Sequence, residues 1–360
     1  MLAVYVSGHG YGHATRTAEV LRAVRERARE LPITVCTSAP SFLFEGVVYP
    51  PLVVRAVECD VGLIQKDALT IDEAGTAEAV RRFQFGWEAL VSREARWLRE
   101  SGARLVLGDI PPLAFAAASE AGVPSIALGN FSWDWVYRHL AARQPDLAAA
   151  AEHAAETYGR AGLLLRLPFA GDLSAFRRIE DVSLVARVPA VGKADARRRL
   201  GLDSRPVVLL SFGGVGLPGL APEAFGWLDG YLFLLTGRAG GGGAPNIRRV
   251  ETRDLVTAGL DYPDLVAAAD VVVSKPGYGI VTDCIGARTS LVYTDRGDFP
   301  EYPILVAEMP RFLPVAFASN EEVRAGRLGE ALRQVMVLPF PASPPTNGAG
   351  VAADRVLAAL

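Results

Sequence analysis

Cysteine is scarce in this sequence: Cys36, Cys59 and Cys284 are the only three among 360 residues. They are far apart, odd in number and form no C-x-x-C pair, which argues against a disulfide framework or a zinc site and suits a reducing, cytoplasmic setting. Lysine is nearly missing as well, since Lys66, Lys193 and Lys275 are the only lysines among 37 basic residues; the bias toward arginine and alanine is read as compositional rather than chemical. Net charge is -3, and no basic face of the kind a nucleic-acid partner needs is evident. No apolar run approaches the roughly 18 residues of a membrane-spanning helix. The run at 2–6 is of strand length and has no basic segment before it and no cleavage site after it, so no export signal is expected. No internal repeat of about 20 to 50 residues is present.

What is present is a chain half hydrophobic (50%) and long enough, at 360 residues, to divide into two cores. Short apolar runs alternate with longer amphipathic patterns, the signature of βαβ units and an α/β fold with parallel sheets. Strands are predicted at 2–6, 33–36, 52–56, 104–108, 125–129 and 163–166, with helices at 14–30, 74–100 and 112–121. The second half restarts with "VVLLSFGG" from Val207 and continues through 231–237, 270–274 and 290–295. Residues 189–205, charged and opening on a proline, read as the connection between halves, and the glycines at 240–243 as a surface loop rather than a site. In open parallel sheets ligands bind at the carboxyl ends of strands, which is where this sequence gathers glycine and polar side chains.

Two such junctions carry the chemistry. "SGHGYGHATR" at 7–16 sets two of the four histidines, His9 and His13, among Gly8, Gly10 and Gly12. Glycines after a buried strand let backbone approach a ligand closely. The second junction is Lys275-Pro276-Gly277-Tyr278-Gly279, between a buried strand and a helix expected to begin near Ile280. Free N–H groups at a helix start favour an anion such as a diphosphate, Lys275 adds a point charge, and the acceptor-only carboxylate of Asp283 suits a ribose diol. Taken alone, this junction is equally well a turn whose glycines ease packing. Asn130, Ser132, Trp133 and Asp134 form a polar and aromatic cluster after a strand, suited to an acceptor pocket. Trp135 reads as helix packing, and His139 and His153 as structural or exposed. Arg16 either faces the cleft as an anion partner or is solvated. His9 either shares the site or bonds to loop backbone.

Together "GHGYGHATR" (8–16), "GVPSIALGNFSWDWVY" (122–137), "LLRLPF" (164–169), "SFGG" (211–214), "AADVVVSKPGYGIVTD" (268–283), "DFPEYP" (298–303) and "TNGAGVAADRVL" (346–357) resemble the GT-B glycosyltransferase superfamily. The likeness is to the glycosyltransferase-like N-terminal region of L-arabinokinases and, less closely, to the lipid II-forming N-acetylglucosaminyltransferase group. The resemblance implies two Rossmann-like domains facing each other across a cleft: an acceptor-side domain over 1–190, a nucleotide-sugar-binding domain over 191–345, and a final helix in 346–360 crossing back to the first. It implies transfer of a hexosyl or pentosyl group from a nucleotide-diphosphate sugar, expected to be a UDP-sugar, to an acceptor hydroxyl. The sugar nucleotide is a substrate, no cofactor is expected, and without an Asp-x-Asp motif no metal is expected. His13 matches the histidine of the GT-B glycine loop and becomes the candidate base, with Asp109 orienting it. Gly10, Gly12, Gly213, Gly214, Lys275, Gly277, Tyr278, Gly279, Asp283 and Glu301 fall on the donor side. His9, Arg16, Asn130, Ser132, Trp133 and Asp134 fall on the acceptor side. Asp283 stands where glutamate is usual, and Ile280 replaces a common threonine hydroxyl. An epimerase of the same fold and a noncatalytic nucleotide-sugar-binding module are the competing readings.

Overall fold

The computed structural model describes residues 1–66, 70–213, 219–236 and 244–360. The first half runs β1 (Leu2–Val6), α1 (Tyr11–Arg27), β2 (Ile33–Thr37), α2 (Phe42–Glu45), β3 (Leu52–Ala56), α3 (Glu73–Phe85), α4 (Trp87–Glu100), β4 (Leu105–Asp109), α5 (Pro112–Ala121), β5 (Ser125–Gly129), α6 (Trp133–Ala141), α7 (Leu147–Tyr158), β6 (Leu163–Arg166) and β7 (Ile179–Asp181). The second runs α8 (Lys193–Arg199), β8 (Val207–Leu210), β9 (Leu232–Leu235), β10 (Ile247–Arg249), α9 (Thr252–Ala258), α10 (Tyr262–Ala268), β11 (Val271–Ser274), α11 (Tyr278–Ala287), β12 (Ser290–Tyr293), α12 (Glu301–Glu308), β13 (Val315–Phe317), α13 (Asn320–Arg324), α14 (Gly329–Val337) and α15 (Gly348–Ala358).

The strands form two sheets, ordered β3-β2-β1-β4-β5-β6-β7 and β10-β9-β8-β11-β12-β13. Neighbours within each sheet are parallel. The central strands, such as β1, β4 and β11, are buried along their whole length and are apolar up to the polar residues that end β4 and β11, as expected where helices cover both faces. Chain order reverses between β1 and β4 in one sheet and between β8 and β11 in the other. At such a switch point the loops diverge and leave a crevice beyond the strand ends.

Packing joins the halves. One apolar cluster runs from Leu2 and Val4 through Ala18 and Leu21 of α1 to Leu209, Tyr278 and Val281 of the second half and to Ala352, Ala353 and Val356 of α15. The last helix lies against α1, tied by Arg27 Nε to Asp354 at 2.8 Å. In the other direction Phe299, from the loop after β12, is buried in the first half's second cluster, edge-on to Phe131 at 5.9 Å. Asp298 in the same loop accepts from Arg143 at 2.5 Å and pairs with His139 at 2.9 Å.

Several boundaries differ from expectation. The helix expected from 14 begins at Tyr11, so His13 sits on its first turn rather than in a loop. Gly10 makes this early start possible, because its φ of 73° at the N-cap is a conformation other residues rarely adopt. The helix expected over 74–100 is two helices meeting at Gly86. The helix expected near Ile280 begins at Tyr278. The connection at 189–205 is not a free linker: its helix α8 packs on α10 beside the second sheet. The glycine run at 240–243 and Gly214 lie outside the described residues. Among the described residues no helix is long and apolar enough to cross a membrane.

Candidate functional site

At the first switch point the opening turns of α1 converge on one carboxylate. Asp109 ends β4 with no exposed surface and accepts four hydrogen bonds. Arg16 gives two, from Nε to Oδ2 at 2.7 Å and from an Nη to Oδ1 at 2.5 Å. The Thr17 hydroxyl gives another to Oδ2 at 2.7 Å, and His13 Nδ1 lies 2.8 Å from Oδ1. Burial opposes ionisation of Asp109, but the Arg16 guanidinium and His13 outweigh it and hold the carboxyl well below the usual carboxylate range. An ionised carboxylate only accepts, so the proton between the two belongs to His13 Nδ1. Arg16 also approaches Nδ1, at 3.1 Å, but with that nitrogen protonated this is a contact and not a hydrogen bond. In the neutral ring this tautomer leaves the lone pair on Nε2, the form a general base needs. The ring is packed edge-on to Phe131 at 5.3 Å and is 5% exposed.

Arg16 is therefore not solvated. It is buried, lies over the Tyr278 ring with its carbon 5.2 Å from the centroid, and donates its remaining Nη to Asn130 Oδ1 at 2.7 Å. Asn130 passes the link onward, donating through Nδ2 to Glu301 Oε1 at 2.7 Å. Its orientation is unambiguous, because the guanidinium only donates and the carboxylate only accepts. Glu301 opens α12, is 2% exposed, and accepts on Oε2 from Arg296 at 2.5 Å. A continuous polar chain thus crosses from the first half to the second, from His13 through Asp109, Arg16, Asn130 and Glu301 to Arg296.

His9 is occupied differently. Its Nδ1 accepts from the Leu63 amide at 3.2 Å, and its ring is edge-on to Trp133 at 5.3 Å. Gly62 supports it from below: a Cβ there would meet His9 at 2.7 Å, and its φ is 63°. Burial, then the charges of His13, Arg296 and Lys275, lower the His9 pKa to about 3, so the ring is neutral and donates only from Nε2.

Ser132, Trp133 and Asp134 do not offer side chains to open space as an acceptor pocket would need. All three are buried. The Ser132 hydroxyl donates to Asp134 at 2.5 Å, and Trp133 Nε1 donates to Asp60 at 2.8 Å. The Trp133 ring packs against both histidines, 5.3 Å from His9 and 6.4 Å from His13 between ring centroids. Asp60, which also accepts from Ser7 at 3.1 Å, escaped sequence reasoning; its signal was the second of two acids after β3 in "ECDVG". Trp135 packs partly buried against Gly171, and His153 lies edge-on to Trp87 at 4.8 Å.

The second glycine turn faces the first. A Cβ on Gly279 would lie 3.7 Å from the Cα of Gly12, and Gly10, Gly12 and Gly213 each have open space where a side chain would be. Gly277 caps α11, partly buried Lys275 precedes it, and the Tyr278 hydroxyl accepts from the Val185 amide at 3.2 Å. Asp283 is 2% exposed and both its oxygens accept from Arg187, whose guanidinium lies 5.2 Å from the Tyr262 ring centroid. The Tyr262 hydroxyl in turn meets Ser211 Oγ at 2.7 Å. Arg187, Tyr262 and Arg296 were likewise missed, since each acts only through partners far away in sequence. Among the described residues no cluster of histidine, cysteine or carboxylate side chains is arranged to hold a metal.

This geometry can be set beside known proteins. Over 321 residues, or 85% of its length, the chain is 33% identical to L-arabinokinase of Arabidopsis thaliana, but the match spans 29% of that longer protein. No protein-family model matches. Among solved structures, the glycotransferase of kitacinnamycin aligns with 100% of this chain and 98% of its own, at a TM-score of 0.61 and 15% identity. The glycosyltransferase SnogD from Streptomyces nogalater aligns with 100% of this chain and 94% of its own, at 0.58 and 18% identity. MurG of Acinetobacter baumannii aligns with 99% of each chain, at 0.54 and 12% identity. At such identities the likeness speaks for the fold. With two Rossmann-like domains whose parallel sheets face each other across a cleft, the chain has the GT-B glycosyltransferase fold and resembles part of L-arabinokinase over most of its own length.

Proposed function

We propose that the chain transfers a hexosyl or pentosyl group from a nucleotide-diphosphate sugar to an acceptor hydroxyl, with His13 as the base and no metal. The observation that carries this reading is the His13–Asp109 contact of 2.8 Å at a sheet switch point, opposite the Gly277–Gly279 turn. In the reaction the acceptor oxygen attacks the anomeric carbon, its proton passes to His13 Nε2, and the sugar–phosphate bond breaks with both electrons leaving on the diphosphate. Asp109 fixes the imidazole tautomer and balances the imidazolium that forms. Glu301, held by Asn130 and Arg296, keeps one further lone pair on each oxygen for sugar hydroxyls. A UDP-sugar is the first donor to try, since a related fold belongs to an anthocyanidin 3-O-glucosyltransferase solved with UDP. The buried thiols of Cys36, Cys59 and Cys284 suit the cytoplasm.

The test is binding and turnover on UDP-, dTDP- and GDP-sugars, with nucleotide release measured against a panel of hydroxyl acceptors. His13→Ala is expected to keep donor binding and lose about 10²- to 10⁴-fold in transfer. Unchanged transfer removes His13 from its role, and absence of any nucleotide binding at millimolar concentration removes the donor. The second reading, a noncatalytic nucleotide-sugar-binding module, is favoured by Ile280 at the start of α11, which offers no phosphate-binding hydroxyl. Donor binding without release in any acceptor mixture would select it.

A further inference from the structure

Arg296 lies in the loop after β12 and has one hydrogen-bond partner among the described residues, Glu301 Oε2. A guanidinium carries five N–H donors, so four are left over. The side chain is 15% exposed, so part of the guanidinium opens onto accessible space.

That space lies inside the cleft. An Nη of Arg296 would be 3.6 Å from a Cβ at Gly277, so the guanidinium rests against the glycine turn in room that a side chain would fill. The aromatic face of Phe299, 4.3 Å from the guanidinium carbon to the ring centroid, fixes the planar group from one side. Phe299 is itself anchored in the first half's core, so the position of Arg296 is set by both halves. Lys275, two residues before Gly277, brings a second cation to the same turn.

We propose that Arg296 binds the donor's diphosphate, exchanging its single bond to Glu301 for a forked contact to phosphate oxygens. Arginine's planar fork matches phosphate in a way that lysine does not. This contact supplies what Ile280 lacks. The exchange also frees one lone pair of Glu301 as the sugar arrives, so occupation of the phosphate and sugar positions is coupled. The inference rests on the reading that a nucleotide-diphosphate sugar enters this cleft.

Calorimetric titration of the whole chain with UDP, dTDP, GDP and ADP, each paired with its nucleoside, tests it. Arg296→Gln is expected to weaken binding of the preferred nucleoside diphosphate by about 10- to 100-fold while leaving the nucleoside unchanged. Glu301→Gln removes the competing anion and is expected to tighten nucleoside diphosphate binding, a sign that disturbed folding does not produce. Equal diphosphate affinity in wild type and Arg296→Gln overturns the assignment of Arg296 alone, as does weaker binding in Glu301→Gln. If wild type binds none of the diphosphates, the donor reading fails and this inference with it.

Discussion

Replacing Asp109 with asparagine keeps the shape of the side chain and removes its charge, and the structure dictates a large penalty. Four donors point at this carboxylate, two of them from an Arg16 that is 4% exposed. An amide cannot satisfy them, because whichever way it turns, its NH2 faces donors from Arg16 and either His13 or Thr17. Arg16 is also left as a buried cation facing only neutral amide oxygens, that of Asn130 and the single one that the substitution retains. Stranding one partner of a buried pair costs about 3–5 kcal/mol, a large share of the roughly 5–15 kcal/mol of a typical fold. Urea unfolding followed by circular dichroism should show a clearly lower midpoint with the slope unchanged. The double variant Arg16→Met with Asp109→Leu removes both charges and should recover at least ~2 kcal/mol against the sum of the singles. A loss below about 1 kcal/mol for Asp109→Asn, or strict additivity in the cycle, refutes the account of Asp109 as the counter-ion of a desolvated arginine.

Other outcomes follow from neighbouring features. His9 has a folded pKa lowered to about 3, so below its ordinary value of about 6.5 the unfolded chain takes up a proton that the folded chain refuses. Stability from this residue is complete above that value and falls with pH, by up to about 2 kcal/mol between pH 6.5 and 5. His9→Gln should flatten the pH dependence of the urea midpoint over this window, and an identical slope in both proteins counts against the assignment. Phe299→Ala empties a site that is 4% exposed and joins the halves, so it should cost about 3–5 kcal/mol and speed proteolysis of the loop after β12. Proteolysis at the wild-type rate would mean that Phe299 does not hold that loop.

The legible part of the molecule was the part written in local pattern. The runs at 2–6, 52–56, 125–129 and 163–166 are strands with the expected limits; 2–6 and 125–129 are buried along their whole length, while 52–56, exposed or half-buried throughout, is still marked by its β-branched Val53 and Val54. The three-residue strands β7 and β13 carry no such run and lie at sheet edges, where pairing rather than sequence defines them. The Gly86 break was hidden by a helical pattern that continues on both sides of it. In the site, the glycine turns and His13 announced themselves by composition. Arg296, Arg187 and Asp60 did not, because their meaning lies in partners such as Gly277, Asp283 and Trp133 that only the fold brings near. Ser132, Trp133 and Asp134 show the converse: a polar and aromatic cluster that resembled a binding surface is mostly interior support.

The pairing of α15 with α1 has a consequence during synthesis. The small side chains Ala349, Ala352 and Ala353 complete the apolar surface that begins with Ala14, Ala18 and Leu21, yet they are translated more than 300 residues later. At roughly 5–20 residues per second, the helix bearing His13 waits about 15–60 seconds on the ribosome with that side uncovered. Until α15 emerges, the nascent first half leaves that part of its apolar surface in contact with water.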